Sequence, residues 1–270
     1  MRSRSVLKRG LAGTAAALVA LGPFGLRQGL PAEAETAADD VDKECVLTSS
    51  PVAMSLYNEE SFALVRTVID KDCNVERTAY NADEAIAAGL ITAEEVAQKE
   101  AEVRDLAFGV MPTHEELGIA SSVGCSLTCP QGPFVKVENQ LWDDIPIIGF
   151  SPFKLTWVDS WTSWAYNSST KSVTNFWGGN CDADRAPDGW SLYDGPHCYY
   201  LDETLPRFQI EHVGAANFRL NLPGGGTAYD HFQEAWAIGN GVGEGRSYCD
   251  QYGSVPGGHE FRCVRVSFVP

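Results

Sequence analysis

The sequence predicts a mainly β protein: a disulfide-braced antiparallel β-sandwich of jelly-roll type at residues 134–270, preceded by a small α+β segment at 45–118. Three observations carry this. From Phe134 onward, short runs rich in Val, Ile, Phe, Tyr and Trp alternate with Gly, Pro, Asn and Asp, the pattern of strands separated by turns. Between Asn81 and Phe108 the apolar spacing changes to a helical period. The eight cysteines fall into four local couples, and an even count behind an export signal reads as disulfides.

Residues 1–34 have the layout of an export signal. Arg2, Arg4, Lys8 and Arg9 form a positive n-region, Leu11 to Leu21 is an Ala- and Leu-rich apolar run, and Ala32-Glu33-Ala34 is a small-x-small cleavage pattern of bacterial type. The apolar run is about half of the ~20 residues a spanning helix needs. The expectation is a secreted, extracellular protein with no membrane insertion. Removing the leader's five basic residues and one acid takes the net charge from −16 to −20. A field of that sign repels nucleic acid and anionic lipid, both bound through basic patches. The expected partners are therefore extracellular glycans or protein surfaces.

Residues 35–44 are acidic with nothing to bury and read as a disordered leader. Phe62–Ile69 and Val75–Tyr80 flank Asp70-Lys71-Asp72 and predict a hairpin pinned by Cys73 to Cys45. Asn81-x-x-Glu84 and Thr92-x-x-Glu95 are capping boxes. The first opens a short helix ending at Gly89. The second opens a helix over about Ala93–Phe108 with Val96, Val103 and Leu106 on one face. Residues 119–133 form a connection carrying Cys125 and Cys129. Beyond it, strands are expected at 134–142, 153–166, 172–177, 197–201, 207–213, 216–222, 228–238 and 260–269. Proximity in sequence pairs Cys45–Cys73, Cys125–Cys129, Cys181–Cys198 and Cys249–Cys263.

Six of the seven tryptophans lie between Trp142 and Trp190, three of them in "WVDSWTSWAYN" at 157–167. Alternation along a strand puts Phe153, Leu155, Trp157, Asp159 and Trp161 on one face and Thr156, Val158, Ser160, Thr162, Trp164 and Tyr166 on the other. The simple reading buries the first face. Tryptophan fills cores and also stacks on sugar rings. Trp164, Tyr166 and Trp177 are the candidate stacking residues.

Asp159, Glu211 and Glu234 each sit inside a strand-like run, and two of them would serve as the carboxylate pair of a glycosidase. Asn180, Asp182, Asp184 and Asp188 alternate like the start of an EF-hand loop, although Arg185 replaces the required Gly and Ser191 the bidentate Glu. Calcium at that loop is the one cofactor the sequence suggests. The chain has no HExxH, no GxSxG and no phosphate loop. The leading reading is a secreted, non-enzymatic binding protein for polysaccharide or cell-surface glycan. The alternatives are a glycan hydrolase using the acid pair, or a protein-binding factor such as a protease inhibitor or toxin, whose rigid loops lose little entropy on binding.

Overall fold

Two antiparallel sheets pack face to face, and a helical layer covers the outside of one of them. The computed structural model describes residues 43–54, 61–108, 132–143, 153–178, 181–186, 189–221 and 229–268, with the side chains of 105–108 left aside. The leader expected at 1–34, the segment 35–42, Cys125, Cys129, Asn180, Asp188 and residues 222–228 lie outside the described residues.

The elements in chain order are β1 (Glu44–Leu47), β2 (Val52–Met54), β3 (Phe62–Ile69), β4 (Val75–Tyr80), α1 (Ala82–Ala87), α2 (Ala93–Phe108), β5 (Phe134–Asp143), β6 (Phe153–Asn167), β7 (Ser172–Gly178), β8 (Ala183–Arg185), β9 (Trp190–Tyr200), β10 (Gln209–Leu220), β11 (Tyr229–Asn240), β12 (Gly245–Pro256) and β13 (His259–Phe268). The six-stranded sheet runs β1-β12-β11-β10-β9, with β2 also on β12. The seven-stranded sheet runs β4-β3-β13-β5-β6-β7, with β8 on β6.

This departs from the expected N-terminal segment in one respect. β1 and β2 join the first sheet through β12, and β3 and β4 join the second through β13. Residues before and after the expected connection therefore share both sheets. β12 itself was not expected: its Gly, Ser and Asp residues read as turn, yet it alternates Ser247, Cys249 and Gln251 inward with Arg246, Tyr248, Asp250 and Tyr252 outward. The helices start where the sequence places them. Asn81 and Glu84 close the first capping box, and Thr92 and Glu95 the second.

Each of the three described disulfides ties one sheet to the other. Cys45 of β1 meets Cys73 in the β3–β4 turn, Cys181 before β8 meets Cys198 of β9, and Cys249 of β12 meets Cys263 of β13. With separations of 28, 17 and 14 residues, each contributes about 3 kcal/mol in the chain-entropy model.

Along the middle of β10 and β11 the packing between the sheets is close because the inward residues there are small. Ala216, Ala235 and Ala237 line this stretch, and a Cβ at Gly214 would sit 2.1 Å from the Asp159 carbonyl oxygen. Polar side chains bridge the layers. Asn139 Nδ2 donates to the carbonyls of Glu234 (3.0 Å) and Asp250 (2.9 Å), Thr156 donates to Gln233 (3.2 Å), and Ser160 Oγ donates to the His212 carbonyl (3.0 Å) and lies 2.7 Å from its Nδ1. His231 is enclosed by Trp190, Phe218 and Phe261. Burial, helped by nearby His259, lowers its pKa to about 3, so it is neutral.

Two cores, one on each side of the seven-stranded sheet, explain the tryptophan run. β6 carries an extra residue at Leu155, opposite the Leu141–Trp142 step of β5, so Leu155 turns inward together with Val158 and Trp164. Trp164 is fully buried, its ring seated against Gly239 and Gly245 and its Nε1 donating to the Asn240 carbonyl at 2.9 Å. Trp161 faces the other way, stacks on Phe134 at 5.2 Å and belongs to the second core, with Val96 and Val103 of α2.

Acid stabilities follow from the buried charges. α2 is tied to the seven-stranded sheet by Lys99–Glu138 (2.7 Å) and Lys136–Glu102 (2.7 Å). Burial alone would raise the Glu138 pKa, but Lys99 and Lys136 outweigh it and bring it down to about 2. Both His231 and Glu138 are thus protonated more readily in the unfolded chain than in the fold. His231 costs stability as the pH falls below its ordinary 6.5, and Glu138 adds its share below 4.5. Unfolding measured from neutral to acid pH should show this two-stage loss, with His231→Leu flattening the upper stage and Glu138→Gln the lower. Trp164→Ala should cost about 3–5 kcal/mol in denaturant unfolding, because its glycine-walled seat cannot collapse onto alanine.

Candidate functional site

The sequence-predicted residues distribute over three places. Of the stacking candidates, Trp164 is core and Trp177 is 8% exposed, while Tyr166 is 40% exposed and rests on Gly243. The three do not form a shared platform. The reason is that the even-numbered face of β6 points at the partner sheet, not at solvent.

The acids separate too. Asp159 lies on the outer side of the seven-stranded sheet, 3.2 Å from Lys136. Burial raises its pKa, and Lys136 only partly offsets this. Glu211 and Glu234 lie on the outer side of the other sheet, across the thickness of the sandwich. Asp159 therefore pairs with neither. Glu211 stands opposite Ile238 and Glu234 opposite Ala215, four residues apart along β11, or about 13 Å. The row of Trp236 and Tyr248 lies between the two acids. In the acidic loop, Asp182 and Asp184 accept from the amides of Ala183 and Arg185. Among the described residues no group of three acidic, His or Cys side chains is placed to hold a metal ion, and no helix is long and apolar enough to cross a membrane.

The two outer faces differ in kind. On the seven-stranded sheet, α1 and α2 pack over β3, β4, β5 and β13. Beside α2 a cleft of about 270 Å³ is lined by Lys99, Gln140, Trp142, Lys154 and Arg262 among others. Its charges are largely matched. Glu260 holds Arg66 and Arg262, and Glu138 and Asp159 share Lys136. Lys154 lies 3.9 Å over the Trp157 ring, and Arg262 4.0 Å over Trp142. This assembly is the joint of the helical layer.

The six-stranded sheet instead presents an aromatic and acidic surface. Cross-strand register arranges it in three rows. The first holds Tyr199, Val213, Trp236 and Tyr248; the second His197, Ala215, Glu234 and Asp250; the third Asp194, Asn217, Phe232 and Tyr252. Trp236 stacks on Tyr248 with centroids 4.5 Å apart, and Phe232 lies 4.9 Å from Tyr252. Directly opposed residues on one face are the contacting unit of a sheet, which is why these rings pair. Tyr199 and Tyr252 keep 40% and 41% of their surface exposed.

Glu234 and Asp250 stand opposite each other between the two aromatic rows. Glu234 accepts from Trp236 Nε1 at 3.0 Å. Its pKa is raised above the usual range, first by burial and also by Asp250, with the indole bond opposing. Asp250 is held by the Ser49 hydroxyl and the Ser50 amide (2.9 Å). Burial and the surrounding carboxylates also raise the pKa values of Tyr199, Tyr248 and Tyr252.

Sequence reading found Glu234 and Glu211 here but missed Trp236, Tyr248, Phe232, Tyr252 and Asp250. The signal was present as period-2 alternation in "DHFQEAW" and "RSYCDQY", where aromatics and acids share one parity. Comparison with known protein families, curated proteins and solved structures gives no match.

Since Trp236 donates to Glu234, its emission should report that carboxylate. A pH titration of fluorescence should show a component with midpoint above 4.5, absent in Glu234→Gln.

Proposed function

We propose that the protein is an extracellular, non-enzymatic binding protein whose ligand is a polysaccharide laid across the outer face of the six-stranded sheet. The observation that carries this reading is the paired rings, Trp236 on Tyr248 and Phe232 beside Tyr252, two rows apart on one sheet face. A pyranose offers C–H bonds to a π face, and such rings bury large area at little entropic cost because few torsions are fixed. The rows lie about 13 Å apart along the strand, a span suited to more than one sugar ring. Glu234 and Asp250 provide acceptors for hydroxyls between them.

Binding is favoured over hydrolysis by the state of the acids. Asp250 is 6% exposed and held by the 49–50 segment, which suits a fixed charge better than a proton carrier. The three inter-sheet disulfides fit a protein that works outside the cell.

Trp236→Ala and Tyr248→Ala should each weaken binding to a soluble polysaccharide by about tenfold or more, roughly 1.4 kcal/mol, in a titration against a panel of neutral, acidic and amino glycans. Tyr166→Ala should leave it unchanged. Unaltered affinity in both ring variants would refute the assignment of this face.

A further inference from the structure

We infer that the glycan this face accepts carries protonated amines, as in a polymer of glucosamine with free amino groups. The inference rests on the binding reading above and narrows its ligand by charge. The central row sets Glu234 against Asp250, and Glu211 lies on the same face beyond Trp236. The three rows contain no lysine or arginine. Their one basic side chain, His197, is 3.0 Å from Asp194. The nearest cations on the face lie outside the rows: Arg246 beside Ile238, and Arg219 bonded to Asp230 at 2.7 Å.

Aromatic faces add to this. A ring presents its negative π cloud to a cation, and four of the five rings here are Tyr or Trp, with Trp the strongest cation–π partner. Burial first, and Asp250 opposite it, hold the Glu234 pKa up, and an ammonium placed between the two carboxylates would offset the repulsion. The overall charge of −16 points the same way, because it attracts a polycation and repels an acidic glycan.

A polymer fits better than a lone amine. The face reads aromatic, acid, aromatic along the strands, so a ring can stack at each end while an amine reaches the carboxylates between. A basic peptide would satisfy the acids but would leave the flat rings without matching sugar faces.

The test compares glucosamine oligomers of one length, with free or fully acetylated amines, against the full chain by fluorescence or calorimetry. The pH lies between the carboxylate and amine titrations. Tighter binding of the free-amine form by about tenfold at low salt, shrinking at high salt, is expected. Glu234→Gln should weaken the free-amine form more than the acetylated form and so cut the preference to about twofold or less, and its unfolding transition verifies the fold. Equal or tighter binding of the acetylated form would overturn the inference while leaving the platform intact. If neither oligomer nor any neutral glycan binds, the platform reading falls with it. Polylysine binding as tightly, with the same dependence on Trp236, would overturn the sugar class.

Discussion

The short, fixed separation of the two sheets is the constraint on which the rest of the structure depends. Covalent ties hold it at three points, and the small inward residues of β10 and β11 allow it. At that distance polar side chains reach across directly: Asn139 to two carbonyls of β11 and β12, Thr156 to Gln233, Ser160 to His212. Buried polar groups are tolerable only when so satisfied. Trp164 is a fully buried large knob in this interior, and glycines at 239 and 245 make the hole for it.

This constraint carries through to the surface. Asn139 fixes the backbone carbonyls of Glu234 and Asp250 from beneath, so the carboxylates above them are anchored from the core side. Disulfide Cys249–Cys263 holds the same strand next to Asp250. The aromatic rows are set by strand register, which a buried inner face specifies strongly. A rigid, preorganised face loses little freedom on binding. The opposite sheet spends its outer face on the helical layer, with Trp161, Phe134 and the Lys136–Glu138 pair taken up there. Among the described residues one outer face is therefore consumed by packing, and the other carries the aromatic rows proposed for recognition.

Much of the fold was legible because its signals are local. Capping boxes at Asn81 and Thr92 and the Asp70 turn act within a few residues and appear in the structure, and three of the four cysteine couples expected from spacing are formed among the described residues. The face of β6 was not legible. Both its sides carry large apolar residues, since one meets the partner sheet and the other meets α2, and the bulge at Leu155 shifts the parity. β12 was missed because its glycines and aspartate mimic a turn while long-range pairing to β1, β2 and β11 makes it a central strand. The site went with it. Half of each aromatic and acidic pair lies on β12, so Tyr248, Tyr252 and Asp250 had no visible partners until the register was known.

The central claim is that Trp236, alone among the seven tryptophans, belongs to the recognition face. The most direct measurement is the indole N–H spectrum of ¹⁵N-tryptophan-labelled protein during titration with a free-amine glucosamine oligomer, with Trp236→Phe assigning one signal. The account predicts a saturable shift of the Trp236 signal while those of Trp164, Trp161 and Trp190 stay in place. Shifts confined to other indoles, with Trp236 unmoved at saturation, would contradict it.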